Sequence, residues 1–160
     1  MGQQSILTSE NLQKKGIAGP SRCVLCLQHQ ESSKNIFLSH PFAKEVWQEV
    51  LGIWAPFLDQ LNTVQNLLSS WGRLYPHPLS SKGWFKVCWL TLSKFILWKI
   101  WLERNARIFQ EKASSPSIVV LKVKSLLKEF MMSRERKKAL SPLLPLEKVW
   151  GERLGITVGL

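Results

Sequence analysis

WFKVCWLTLSKFILWKIWLERNARIF, residues 84–109, is the most apolar stretch of the chain, and its reading decides the fold. At 100° per residue Trp84, Cys88, Phe95 and Leu102 gather near one direction, while Trp89, Leu90, Leu97 and Trp101 occupy others. A helix apolar nearly all round belongs at the centre of a core or in a membrane. Residues 84–102 hold fourteen apolar side chains and three lysines, Lys86, Lys94 and Lys99. Lys94 would stand near mid-bilayer at a cost of roughly 3 kcal/mol, and the lysines share no face. The expectation is a buried central helix whose lysine stems snorkel outward, with Ser80 or Ser81 as its cap. A single membrane span is the weaker alternative.

Downstream, Ser114 and Ser115 before Pro116 signal a second long helix, and Val119, Val123, Leu126, Leu127, Phe130 and Met131 form one stripe along it. Lys124 and Lys128 stand opposite, and the helix frays into Arg134, Arg136, Lys137 and Lys138. This is a basic amphipathic helix expected to dock on the Trp-rich one. Pro142 and Pro145 make the remainder a loop, with Val149 and Trp150 in at most a short docking segment.

Upstream, Pro41 suits the first turn of a helix from Phe42 to about Ile53, with Val46, Trp47, Val50 and Leu51 on one face and Pro56 ending the unit. Thr63 starts a short helix carrying Val64, Leu67, Leu68 and Trp71, which Pro76-His77-Pro78 breaks. In the leader, Thr8 or Ser9 caps a helix through Asn11, Leu12 and Lys15, closed by Gly16 as the residue after the C-cap. No alternating run with hairpin dipeptides occurs, so any sheet is small.

Gly19-Pro20-Ser21 turns the chain into Cys23-Val24-Leu25-Cys26. Thiols two residues apart can both reach one tetrahedral zinc ion, because a tight turn brings positions i and i+3 to the same side of the backbone. The remaining ligands must come from His29, Asn35 or His40, of which the two histidines bind zinc well. Cys88, alone in the apolar run, reads as a small core side chain. Three cysteines do not make an extracellular disulfide framework, and the N-terminus has no apolar signal region. The expected location is intracellular, nucleus or cytoplasm.

The net charge of +11 is unevenly spread: residues 1–80 carry +1 and residues 81–160 carry +10. A basic half suggests RNA or DNA as a partner, through Lys124, Lys128, Arg134, Arg136, Lys137 and Lys138. One aspartate, Asp59, is present, so no Asp-built two-metal nuclease or polymerase centre can be assembled. Glu10, Glu31, Glu45, Glu49, Glu103 and Glu111 sit mostly beside Lys or Arg at helical spacing, the pattern of surface pairs. There is no phosphate-binding loop, nucleophile elbow or H-E-x-x-H helix. The chain therefore reads as a non-enzyme with no small-molecule substrate. Trp47, Trp98 and Trp101, at helical spacing, read as core rather than as base-stacking platforms.

Three blocks, ILTSENLQKKGIAGPSRCVLC, ESSKNIFLSHPFAKEVW and LWKIWLERNARIF, follow in order between residue 6 and about residue 110. Together they resemble the reverse-transcriptase zinc-binding domain that follows the polymerase in plant LINE-type (non-LTR) retrotransposons. Cys23 and Cys26 match that family's first two ligands. Asn35 stands where the family has a histidine, and His40 stands where it has a cysteine. Imidazole can replace thiolate on zinc, whereas a neutral amide oxygen binds weakly. His29 is the alternative ligand, though its closeness to Cys26 would need a different loop path. The resemblance implies zinc as cofactor, held by Cys23, Cys26 and His40, and a module that grips RNA or DNA beside a polymerase. Glu103-Arg104-Asn105 matches the family's E-R-N block, and polar satisfaction at the helix end is its simplest role.

The resulting expectation is a mainly α fold, a small single domain of packed helices with a degenerate N-terminal zinc-knuckle-like loop. Its parts are a leader with a short helix (1–18), the knuckle-like region with the following helix (19–55), a Trp-rich helical region (56–112), a basic amphipathic helix (113–140) and a C-terminal tail (141–160). The expected function is that of a stand-alone, non-catalytic remnant of a retrotransposon polyprotein with weak, salt-sensitive nucleic-acid binding. A helical interaction or structural protein is the alternative.

Overall fold

The computed structural model describes residue 8 and residues 12–17, 22–74 and 83–135. Four α-helices carry these residues: α1 (Pro41–Leu51), α2 (Val64–Ser70), α3 (Gly83–Phe109) and α4 (Pro116–Glu135). A π-helical turn, Asn35–Ser39, leads into α1, and a 3₁₀ segment, Gly52–Gln60, follows it. Among the described residues the only β pairing is one isolated bridge between Arg22 and Gln30. The expected mainly α domain is what the chain forms.

The helix starts follow from the residues named above. Thr63 Oγ1 accepts from Asn66 N at 3.0 Å to cap α2, and Ser115 Oγ accepts from Ile118 N at the start of α4. In the leader, Gly16 has φ +75°. Gly16 N donates to Gln13 O and Ile17 N to Leu12 O. These are the paired bonds of a Schellman ending, and a left-handed residue there favours glycine. Ser9, Asn11, Pro76 to Pro78, the Ser80 and Ser81 caps and everything from residue 136 lie outside the described residues.

α1 ends at Leu51, two residues short of the expected limit, and Pro56 does not end the unit: the 3₁₀ segment runs through it to Gln60. Gly52, at φ +61°, breaks the α-helix where its chain direction changes. Proline's fixed φ suits the tighter helix that follows.

The core lies between α1, α3 and α4, with Val46, Trp47, Val50, Leu92, Ile96, Ile100, Val120, Val123 and Leu127 fully buried. The α4 stripe is as expected, although Leu126 and Phe130 are half-buried and Val120 joins the inner face. Buried indoles find acceptors, as a dry N–H requires. Trp47 Nε1 donates to Phe37 O at 2.8 Å. Trp71 and Trp89 stack with centroids 4.7 Å apart and exchange bonds, each Nε1 donating to the other's carbonyl. That pair fastens the end of α2 to α3.

Two readings of α3 need correction. It is not buried all round: Leu90, Trp98, Leu102 and Phe109 are exposed, Phe109 to 75%. Trp98, expected in the core, is 53% exposed. A domain of this size has too few elements to surround a 27-residue helix. Among the described residues no helix is long and apolar enough to cross a membrane, so the membrane-span alternative falls.

Candidate metal centre

The segment 22–40 is built to bring distant sulfur and nitrogen atoms together. Cys26 N and Leu27 N both donate to Cys23 O, closing a tight turn over the thiol pair. Cys23 N donates to His29 O at 2.7 Å, and the Arg22–Gln30 bridge closes the loop at its base. Leu27 takes the left-handed φ of +59° that such a turn demands. Ser32 Oγ accepts from Asn35 N at 3.1 Å, starting the helical turn that follows. Here His40 N bonds back to Asn35 O at 2.9 Å, five residues away. This wider turn carries His40 to the thiols.

Sγ of Cys23, Sγ of Cys26 and a ring nitrogen of His40 lie within 4.8 Å of one another. Cys23 and His40 are buried, and Cys26 is half-buried. Ligands on a tetrahedral zinc stand about 3.5–3.8 Å apart, given Zn–S near 2.3 Å and Zn–N near 2.0–2.1 Å, so the trio needs to close by at most about an ångström. Three protein ligands leave one position for water. His29 is not part of the trio: it is exposed, with Nδ1 3.7 Å from Cys26 Sγ. Asn35 is occupied otherwise, its Nδ2 donating to Gln30 O at 3.3 Å.

His40 has a second task. As the N-cap of α1, its Nδ1 accepts from Phe42 N at 3.0 Å. A backbone N–H can only donate, so Nδ1 presents its lone pair and the neutral ring carries its proton on Nε2. Nε2 is buried and, among the described residues, no group completes a hydrogen bond to it, although the ring stands close enough to the Cys26 sulfur to favour its thiolate. An orphaned buried ring nitrogen beside two thiols fits a metal, but ligation needs that nitrogen bare. Binding through Nε2 therefore moves the proton to Nδ1 and releases the α1 cap. Zinc held there would be structural, joining the turn at Cys23–Cys26 to the start of α1.

The two thiols differ. Burial pushes the Cys23 thiol up, and the Cys26 charge adds to it against the opposing Leu25 and Cys26 N–H groups. For Cys26 burial also acts upward, but the Gln28 N–H, the His29 ring and N–H, and the His40 ring outweigh it and bring the thiol down to about 6. Cys26 is the thiolate-bearing member.

The loop is held in part by Glu31 and Glu103, whose pattern in the sequence is that of surface pairs. Glu31 and Arg104 are instead a buried pair, with Nη2 donating to Oε1 at 2.6 Å and Nε to Oε2 at 3.1 Å. Their side chains are 1% and 7% exposed. The Arg104 guanidinium also lies over the Trp101 ring, 5.0 Å from its centroid. Arg107 donates to Leu25 O, inside the Cys-x2-Cys turn, and to Ser114 O. Glu103 is buried too: its Oε1 accepts from Ser114 N at 2.7 Å and from Arg107 Nε at 2.9 Å. Burial pushes the Glu103 carboxyl up, yet the Ser114 N–H and Arg107 outweigh that and hold it below its ordinary range. These residues lie in the quoted blocks ESSKNIFLSHPFAKEVW and LWKIWLERNARIF, but helical spacing could not show that Glu31 and Arg104 meet across 73 residues.

Of the residues expected to meet nucleic acid, Lys128 is exposed and Lys124 half-buried on α4. Arg134 lies in α4, its side chain outside the described set, and Arg136, Lys137 and Lys138 lie outside the described residues.

Residues 1–47 match a family model described as zinc-binding in reverse transcriptase. That segment contains Cys23, Cys26, Asn35 and His40, and it stops before Arg104 and Arg107. No curated protein and no solved structure matches the chain.

Proposed function

We propose that this chain is a non-catalytic, zinc-knuckle-like nucleic-acid-binding remnant of a retrotransposon reverse-transcriptase polyprotein, of the LINE type found in plants. The observation that carries the reading is the convergence of Cys23, Cys26 and His40 within 4.8 Å, inside the segment similar to the reverse-transcriptase zinc-binding family. The word remnant rests on Asn35, which stitches the loop where the resemblance places a histidine ligand. Binding rather than catalysis is supported by a single aspartate in the sequence and by Glu31 and Glu103 being committed to Arg104 and Arg107. The +10 charge of residues 81–160 supplies the attraction for phosphates. Cysteine usage, a C-x2-C pair with Cys88 alone in an apolar run, suits a reducing setting in nucleus or cytoplasm.

Two measurements test this. Labelled RNA should bind at low salt with an affinity that falls steeply as salt rises, and no binding at low salt would leave a helical interaction protein as the better reading. Elemental analysis of the metal-replete protein should find zinc that a Cys23→Ser/Cys26→Ser variant lacks. Less than about a tenth of an equivalent per chain would remove zinc from the proposal, since structural sites bind tightly near neutral pH.

A further inference from the structure

We infer that the outer ridge of α3, made by Lys86, Leu90, Lys94, Trp98 and Leu102, is a binding surface for single-stranded nucleic acid, with Trp98 as the platform for a base. The inference rests on the nucleic-acid reading above and assigns it a different location from the basic end of α4. These residues are spaced four apart, so the row climbs about 6 Å per step while turning about 40° round the helix; Leu90, Lys94 and Trp98 fall within about 80° and form the centre of the surface, with Lys86 and Leu102 at its two ends. Lys86 and Lys94 are exposed, as are Leu90, Trp98 and Leu102 at 39%, 53% and 38%.

Trp98 is the anomaly that points to a ligand. Trp47, Trp71 and Trp89 are buried with their N–H groups satisfied, and Trp101 packs against Phe37 and Arg104. Trp98 instead keeps half its indole in water beside Lys94. Single-strand binders combine cations that follow the phosphates with aromatic faces on which bases stack, and this surface sets one such face, Trp98, one helical turn from the Lys94 cation.

Charge selects the occupant. The one carboxylate of α3, Glu103, is buried and held by Arg107 and Ser114 N, so the ridge carries cations alone. A second copy laid face to face would set lysine against lysine. A membrane surface suits a continuous apolar face, whereas Lys94 interrupts this one between Leu90 and Trp98. A polyanion whose bases offer flat apolar faces matches both features.

The test is fluorescence anisotropy of labelled oligo(U) and oligo(dT) 12-mers with the full chain, in parallel with Trp98→Ala, Trp98→Phe and Lys94→Ala. Circular dichroism confirms that each variant folds. Trp98→Ala should weaken binding about tenfold with an unchanged salt slope, and Trp98→Phe should recover most of the loss. Lys94→Ala should lower the slope of log affinity against log salt by about 0.7. The two oligomers separate RNA from DNA preference, and either preference supports the surface. Tight wild-type binding that Trp98→Ala leaves unchanged overturns the ridge while sparing the nucleic-acid reading. Absence of wild-type binding at low salt overturns both. Equal affinity for a duplex 12-mer, or a Trp98-dependent dimer or phosphatidylserine-vesicle association without a Trp98 effect on RNA, also overturns it.

Discussion

Replacing either partner of the Glu31–Arg104 pair should cost far more than either residue's place in the sequence suggests. The pair is bidentate, both hydrogen bonds are charge-assisted, and almost none of either side chain reaches water. Breaking a buried pair from one side typically costs about 3–5 kcal/mol, because the remaining charge stays in a dry site. An exposed pair such as Lys44–Asp59 is worth about 0–1 kcal/mol by comparison. In Glu31→Leu the guanidinium keeps the Trp101 face and Asn105 Oδ1, so its loss should sit near the lower end. In Arg104→Met the carboxylate loses its guanidinium, and the loss should be greater.

The double variant Glu31→Leu/Arg104→Met buries no charge and should recover most of the stability. Urea unfolding of all four proteins measures this: with slopes of about 1–3 kcal/mol per molar, a 3 kcal/mol loss moves the midpoint by about 1–3 M. Hydrogen exchange should also quicken at the Cys23–Gln30 amides in the single variants, since Glu31 anchors that loop. Single-variant losses below about 1 kcal/mol, or a double variant no better than the worse single, would refute a buried latch.

Three further outcomes follow from the same geometry. His40→Ser should keep the α1 cap and lose the ligand, so metal-free stability holds while zinc affinity falls; His40→Ala should lose both, with about 1 kcal/mol of stability, as read by thermal melts and zinc titration. Glu103→Gln should destabilise at pH 7 by about 1–3 kcal/mol. Because the folded Glu103 carboxyl lies below its unfolded value, its contribution is complete above about pH 4.3 and is lost as pH falls through the folded value, so wild-type and variant urea midpoints should converge in acid. In metal-free protein, iodoacetamide should label Cys26 with a rate rising through about pH 6 while Cys23 lags, as mass spectrometry of Cys26→Ser and wild type can show.

The helices were legible because their signals are local. Thr63, Ser115, Gly16 and Pro41 each act within one turn, and the α4 stripe needs no partner to be read. The inside of α3 was not legible, because apolar side chains on all its faces do not say which face neighbours will cover. Trp98 and Trp101 lie three residues apart in one apolar run, yet Trp101 meets Phe37 and Arg104 while Trp98 is half exposed. At the candidate centre the thiol pair and His40 could be named from spacing, whereas the ring's capping bond could not. The roles of Glu31 and Arg104 were hidden for the opposite reason, since charged residues near other charges usually are surface pairs.

The latch explains how the loop can keep its form with three metal-ligating side chains rather than four. Metal would be one cross-link among several: Cys23 N to His29 O, the Arg22–Gln30 bridge, Glu31 to Arg104, and Arg107 to Leu25 O all fasten residues 22–31. Asn35 adds another, its amide bonding Gln30 O from the position where the resemblance expects a histidine. An asparagine there offers a metal less than a histidine would, while it gives the loop a hydrogen bond. His40 works in the same direction, since its ring caps α1 when no metal claims it. The loop's geometry is thus set largely from α3, about 80 residues downstream, and zinc would stabilise a shape the helices already impose.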